Sequence, residues 1–187
     1  MLNSKNICFK LLNFKIKNLV KYTLVETLIM NKYAAKWSLL SSKSDANNTD
    51  NGRSSHTLNI INNKLYVFGG ENEPRIPINN NLLIYNILKK SWQIHETNIQ
   101  SERHVPTARL GHASCSLGNL LYVFGGRQSV DMAESSLNDL YAFDTESNEW
   151  MKVDENESKD FVKPSKRSYH SMCALENKLY IFGGNLI

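Results

Sequence analysis

Cysteine and proline are scarce in this sequence, and long apolar runs are absent. Only three cysteines occur among 187 residues, Cys8, Cys115 and Cys173, and none belongs to a CxxC pair. An odd count without that spacing argues against a disulfide framework or a zinc site and favours a reducing compartment, so we expect cytoplasmic localisation. Lysines interrupt the apolar residues of positions 1–30, so we predict neither a membrane span nor a secretion signal there.

Motifs of common enzyme classes are also missing. The sequence contains no glycine-rich phosphate loop and no G-x-S-x-G nucleophile motif, and its acidic run at 154–160 has no evident acid–base geometry. We therefore predict no catalytic residues and no cofactor. The net charge of +4 comes largely from lysines in the first 36 residues. The rest is near neutral and has no basic patch interleaved with aromatics, which argues against nucleic-acid binding.

A short apolar stretch closed by two glycines occurs three times. The copies are Lys64–Gly70, Leu120–Gly126 and Lys178–Gly184, and their glycine pairs begin at positions 69, 125 and 183. Each copy is typical of a buried strand that ends where the backbone needs conformations other residues resist. A nearly constant spacing of this size predicts a repeat architecture.

The middle copy shows the whole repeat unit. Ala113–Leu117 is predicted as a strand, and a Gly-Asn turn joins it to Leu120–Gly126. After a polar segment, Asp139–Asp144 alternates as a strand with two unlike faces, and Glu149–Val153 forms a short last strand. The unit is therefore predicted to be four antiparallel strands without a helix.

Arginine, histidine and tryptophan recur in register with these strands. In each repeat an Arg precedes a His by three residues, and in the two complete repeats a Trp lies in the predicted last strand. Because recurrence in register indicates structure, we expect these residues to anchor and pack the sheets, and we predict no metal site from the histidines. The structural set is Arg53, His56, Gly69, Gly70, Trp92, Arg109, His112, Gly125, Gly126, Trp150, Arg167, His170, Gly183 and Gly184.

This pattern, from about residue 31 to residue 184, resembles the kelch repeat. The resemblance implies an all-β propeller in which each repeat is one four-stranded antiparallel blade. Closed propellers use about 4–8 blades, so we expect an incomplete ring and a truncated fragment. The predicted divisions are a basic non-repeat segment at 1–30, a closing strand and linker at 31–52, blades at 53–108 and 109–166, and a truncated blade at 167–187.

The first division, 1–30, is interpreted as untranslated, disordered or helical. Repeat-like sequence begins directly after Met30, so this residue is our expected start of translation. Leu12, Ile16 and Leu19 would lie on one face of the predicted helix.

Two kinds of long connection are expected on one face of the propeller, which we call the loop face. One kind follows the glycine pair and the other joins successive blades, and alternating strand direction brings both to the same edge. Such loops carry function because the scaffold beneath them is rigid. We predict a non-catalytic scaffold that binds a protein partner here. The candidate binding residues are Glu71, Arg75, Arg103, Arg127, Asp131 and Lys166.

Several stretches are also similar to the first half of plant specifier proteins, kelch propellers that redirect glucosinolate breakdown with ferrous iron. This resemblance rests on Arg53–His56, Phe68–Glu71, Phe124–Arg127, Phe143–Thr145 and Arg167–Met172. It implies that Arg127 contacts an anionic group such as a sulfate. The resemblance also implies a Glu, an Asp and a His as iron ligands. They belong to a later blade, which falls beyond Ile187. A specifier-like iron-dependent protein and a non-functional fragment are therefore the alternatives to the scaffold.

Overall fold

A computed structural model describes residues 24–31, 34–41, 52–97, 104–128, 136–153 and 163–186 of the chain. Every regular element in these ranges is a β-strand, and none of the described residues forms a helix that is long and apolar enough to cross a membrane. The chain divides into two compact units, Met1–Ser42 and Lys43–Ile187.

The described residues of the first unit form a hairpin. Strand β1 (Leu24–Asn31) pairs antiparallel with β2 (Ala34–Ser41), which places Thr27 opposite Trp37. The sequence analysis did not anticipate this partner for the strand around Trp37. The predicted helix over positions 12–20 lies outside the described residues. The roles of Trp37 as a closing strand and of Met30 as the start stay predictions.

The first repeat forms a four-stranded antiparallel sheet. Its strands are β3 (Thr57–Ile61), β4 (Lys64–Phe68), β7 (Leu82–Asn86) and β8 (Ser91–His95), paired in that order. Asn62 and Asn63 join the first two strands with φ angles of 49° and 60°. Asparagine tolerates the left-handed conformation that a tight hairpin turn demands, so this turn sets the register of β3 against β4.

The segment after the first glycine pair contains an element that the sequence did not reveal. Strands β5 (Glu71–Glu73) and β6 (Ile76–Pro77) form a small separate hairpin. Arg75 occupies its turn with φ of 66°. The loop predicted here is therefore partly ordered by its own backbone pairing.

The second repeat repeats the arrangement of the first. Its strands are β9 (Ala113–Leu117), β10 (Leu120–Gly126), β11 (Leu137–Asp144) and β12 (Glu149–Lys152), again paired in chain order. The first two have the predicted bounds, whereas β11 begins two residues earlier than predicted. The third repeat contributes β13 (Ser171–Leu175) and β14 (Lys178–Phe182) as a two-stranded antiparallel sheet.

The registers show that the three repeats are equivalent. Phe68 pairs with Thr57, Phe124 with Ala113, and Phe182 with Ser171, each at the start of the repeat's first strand. The predicted all-β class of four-stranded antiparallel units is confirmed, and no closed ring is formed by the described residues. Strand β9 lies against both β3 and β13, so the first strands of the repeats are neighbours.

The main core lies between the first two sheets. Phe68 of the first repeat packs against Trp150 of the second, with ring centroids 5.3 Å apart, and Trp150 packs in turn on Phe143 at 5.2 Å. All three side chains are buried. Because a buried aromatic side chain removes about 150–250 Å² from water, this contact contributes strongly to holding the sheets together.

Candidate functional site

The repeat arginines bind the glycine pairs. In all three repeats the Nη1 atom donates a 3.0 Å hydrogen bond to the first glycine of the pair, from Arg53 to Gly69 O, from Arg109 to Gly125 O and from Arg167 to Gly183 O. The separation is 16 residues each time. These bonds tie the start of each first strand to the end of the second, at the edge where the long connections begin.

Arg109 is the most enclosed of the three arginines. Its side chain is fully buried, and its guanidinium binds both carboxylate oxygens of Asp139 at 2.7 and 3.0 Å. It also donates to the backbone oxygen and the hydroxyl of Thr107, both at 3.1 Å, and lies 5.4 Å from the centre of the Tyr141 ring. The sequence analysis missed Asp139. Its only signal was a single carboxylate at the start of the predicted third strand.

The repeat histidines pack against the glycine pairs of the preceding repeat. His112 bonds Thr57 through Nε2 at 2.9 Å and meets the Phe68 ring edge-on. A Cβ atom at Gly69 would lie 2.6 Å from Cε1 of His112, so only glycine fits there. His170 meets Phe124 in the same edge-on geometry.

Burial favours the neutral form of these imidazoles, because it lowers their pKa. Desolvation is the main cause that lowers the pKa of His112 well below its usual value, and Arg109 adds to the effect. For His170, burial and then Arg167 lower the pKa to about 4. The pKa of His56 is lowered mainly by burial and secondarily by Arg53. Among the described residues, no group of three His, Cys, Asp or Glu side chains is close enough to hold a metal ion.

Successive repeats are also joined through their backbones at this edge. The N–H of Gly70 donates to Arg109 O, and that of Gly126 donates to Arg167 O, both at 2.9 Å. A Cβ atom at Gly70 would lie 2.6 Å from Ser54 O. The second glycine is therefore required for the close approach of two chain segments.

The two predicted tryptophans differ in their environments. Trp150 is buried between the first and second repeats, as described above. Trp92 is half-buried and packs within its own repeat on Tyr85, with ring centroids 5.0 Å apart.

The two kinds of connection meet at the loop face. Thr107, in the connection between the first two repeats, is hydrogen-bonded by the amide of Gln128, which follows the second glycine pair. Asn138 donates a 3.4 Å hydrogen bond to Pro164 O in the connection to the third repeat. The loops that the sequence analysis assigned to one face are therefore in direct contact.

The residue after each glycine pair is held in an antiparallel bridge. Glu71 pairs with Ser54, Arg127 with Leu110, and Asn185 with Ser168. The carboxylate of Glu71 also accepts hydrogen bonds from the hydroxyls of Ser54 and Ser55, at 3.3 and 2.6 Å, and from the backbone of Arg75. This carboxylate fixes the small β5–β6 hairpin against the first repeat.

The other loop-face candidates occupy different settings. The Arg75 and Lys166 side chains are exposed, and the Arg127 side chain is half-buried. Arg103 and Asp131 lie outside the described residues. The structure thus brings Arg127 close to the Thr107–Gln128 contact and leaves Glu71 and Arg75 together in the first repeat.

Comparison with known proteins agrees with this architecture. The sequence signature described as the KLHDC2/KLHL20/DRC7 Kelch-repeats domain matches residues 55–186. The N-(sulfonatooxy)prop-2-enimidothioate sulfolyase of Thlaspi arvense is 38% identical over 136 residues, which are 71% of this chain and 35% of that protein.

Two further relatives come from other kingdoms. Tip elongation aberrant protein 1 of Schizosaccharomyces pombe is 32% identical across 82% of this chain and 13% of its own length. Kelch domain-containing protein 3 of Rattus norvegicus is 29% identical across 71% of this chain and 32% of its own length. The chain thus spans about a third or less of these relatives. It belongs to the kelch-repeat family.

Proposed function

We propose that this chain is a recognition scaffold that binds a protein partner across its loop face. The observation that carries the proposal is the set of three equivalent bridges that follow the glycine pairs. They hold the backbone in one geometry, since the distances from donor nitrogen to acceptor oxygen are 2.8–3.0 Å in all three repeats. A rigid backbone lowers the conformational cost of binding, because fewer loop residues must be ordered when the partner arrives.

The side chains on these bridges are different although their backbones are alike. The equivalent positions carry Glu71, Arg127 and Asn185, which are anionic, cationic and neutral. The arginine contact to the first glycine and the histidine contact to the second recur beneath all three positions, so these contacts do not account for the difference in charge; in addition, the Glu71 carboxylate holds the β5–β6 hairpin. A constant frame with variable charge is the arrangement that a recognition surface needs, because complementary charge sets partner choice and encounter rate.

Affinity capture tests this function. The whole chain, immobilised, should retain a partner from an extract of the source tissue, and the purified partner should bind the chain in solution. Arg127→Glu and Arg75→Glu should each weaken that binding by about tenfold, because reversal of one interface charge introduces repulsion. Lys89→Glu makes the same charge change in the exposed turn at the opposite edge and should leave the affinity unchanged. Equal affinities for all four proteins would contradict the proposed face.

A second candidate function is supported by the similarity to the Thlaspi arvense sulfolyase. Under this proposal the chain is part of a specifier-like protein, and Arg127 contacts the sulfate of an activated glucosinolate breakdown intermediate. The planar guanidinium suits that contact because it presents several donors in a fixed geometry. The described residues offer no three-ligand set for ferrous iron, so no reaction step is assigned to them.

The two candidates are distinguished by sequence beyond Ile187. A full-length transcript that encodes E-x3-D-x3-H on a later blade would favour the specifier-like function and justify an assay of iron-dependent turnover. A transcript without that motif would remove this candidate and leave the scaffold.

A further inference from the structure

Two side chains at the loop face share one nitrogen of the buried Arg109. Its Nη2 atom donates to the hydroxyl of Thr107 at 3.1 Å and to Oδ2 of Asp139 at 3.0 Å. The arginine side chain is fully buried, whereas Thr107 is exposed and the Asp139 side chain is 22% exposed. A buried and rigid base therefore fixes the spacing of two polar groups that reach solvent.

The Thr107 hydroxyl has a hydrogen to donate. Its oxygen accepts hydrogen bonds from Arg109 and from the amide of Gln128, and a hydroxyl oxygen offers two acceptor sites. Both sites are thus occupied, so the O–H bond points away from these two groups. Among the described residues, no acceptor takes this hydrogen. The exposed hydroxyl therefore presents a donor to any molecule that covers the loop face.

The Asp139 carboxylate keeps unused acceptor sites. Its two oxygens offer about four such sites, and the bonds from Arg109 at 2.7 and 3.0 Å occupy two of them. The guanidinium balances the charge of the carboxylate, so the pair as a whole is neutral. A neutral group that both donates and accepts hydrogen bonds therefore fits this place better than an ion does.

Comparison of the repeats separates the frame from the addition. In the third repeat Ser165 takes the place of Thr107, since Arg167 donates to its backbone oxygen at 3.1 Å and to its hydroxyl at 2.8 Å. In the first repeat the strand register places Asn81 where the second has Asp139. The hydroxyl contact thus recurs with the repeat, whereas the carboxylate does not. The second repeat also has a neighbour on each side, so the exposure of its two groups is not that of an open end.

The spacing of the two groups favours one kind of neutral ligand. The hydrogens on a planar guanidinium nitrogen diverge, so the two oxygens that they bind lie well apart. The oxygen and nitrogen of a single carboxamide share one carbon and are too close together to meet both. The C=O and N–H of one residue in an extended segment are more widely spaced and point to the same side, as in an antiparallel pair of strands. An extended backbone therefore fits the two groups.

We propose that Thr107 and Asp139 bind the backbone of one residue in an extended segment of the partner. Thr107 donates to the C=O of that residue, Asp139 accepts from its N–H, and Arg109 acts as the positioning residue for both. This inference rests on the proposed scaffold function and names how the partner is held. Backbone contacts of this kind fix the register of the segment, whereas the neighbouring loop-face side chains select its sequence.

Replacement of single amides by esters in a bound peptide tests this inference. Displayed random 12-residue peptides are selected on the whole chain, and the tightest one is synthesised with each backbone N–H replaced in turn by an ester oxygen. One replacement should weaken binding to the wild type by at least about tenfold, because it removes a hydrogen bond to a charged acceptor. The same replacement should have little effect on binding to Asp139→Asn, and it should keep its full effect on binding to Thr107→Val.

Three threonine variants test the other half of the contact. Thr107→Val removes the hydroxyl at nearly constant shape and should weaken the selected peptide by about fivefold, the loss expected for one neutral hydrogen bond. Thr107→Ser retains the hydroxyl and should bind like the wild type. Thr145→Val makes the same change in the turn at the opposite edge, where the hydroxyl donates to Asn119 O at 2.8 Å, and should leave the affinity unchanged. If Asp139→Asn does not fold, these variants decide the outcome.

The results separate this inference from the proposed function. If Arg127→Glu weakens the peptide, but every ester and Thr107→Val are tolerated, the inference is overturned and the loop-face scaffold stands. Equal weakening by Thr107→Val and Thr107→Ser would also overturn it, because the hydroxyl would then not be the contact. Peptides that respond to no loop-face variant contradict both proposals. A selection that yields no peptide contradicts the extended segment and leaves the scaffold to the affinity-capture test.

Discussion

Replacement of Arg109 by methionine removes the most enclosed charge of the second repeat. In the wild type this guanidinium is fully buried, whereas its partner Asp139 is 22% exposed. Loss of one member of a buried ion pair typically costs about 3–5 kcal/mol, because the remaining charge stays desolvated. Since Asp139 can regain some hydration, we expect the lower end of that range, about 3 kcal/mol.

Arg167→Met is the matched control. Arg167 makes the equivalent hydrogen bond to Gly183 O and two bonds to Ser165, but these contacts are exposed. Water readily replaces exposed hydrogen bonds, so loss of the Arg167 side chain should lower the free energy of unfolding by about 1 kcal/mol or less. For a unit of this size, the Arg109 variant should melt about 6–12 °C below wild type. Urea unfolding of both variants measures the difference, and equal losses of stability would refute the reasoning.

Three further predictions concern stability. The pKa of His170 is about 4 in the folded state against 6.5 for an unperturbed histidine, so the unfolded state binds more protons between these values. Stability should therefore fall as pH decreases from 6.5 towards 4, and His170→Gln should flatten that dependence in urea titrations. Gly69→Ala should destabilise the protein far more than Gly183→Ala. A Cβ atom at Gly69 would lie 2.4 Å from a backbone oxygen, whereas a Cβ atom at Gly183 would have no other atom within 4 Å. Similar melting temperatures for the two variants would contradict this. Trp150→Ala should cost about 3–5 kcal/mol and the half-buried Trp92→Ala clearly less, as measured by chemical unfolding.

The sequence was sufficient to predict the strands that carry the repeat. Ala113–Leu117 and Leu120–Gly126 have the predicted bounds because apolar alternation, a turn and a glycine pair all indicate the same local structure. The β5–β6 hairpin could not be predicted, since it is stabilised by the carboxylate of Glu71 and requires Arg75 to adopt an unfavourable positive φ. Neither feature produces a periodic pattern of hydrophobic residues in the sequence.

The site was less predictable than the fold. Positions of the loop-face residues followed from strand direction alone, but their contacts depend on residues far apart in the chain. Asp139 pairs with an arginine 30 residues earlier, and nothing in the local pattern distinguishes it from an exposed carboxylate. Tyr169 occupies a position where the other repeats have serine and glycine, and its strained backbone became apparent only with the φ angle.

Hydrogen exchange of the whole chain, with and without its captured partner, tests the central claim most directly. The scaffold account predicts that the partner slows exchange at the loop face, in 71–78, 107–111 and 163–169. The turns at the opposite edge, 87–90 and 145–148, should exchange at unchanged rates. Protection confined to those opposite turns, with the loop face unaffected, would contradict the account.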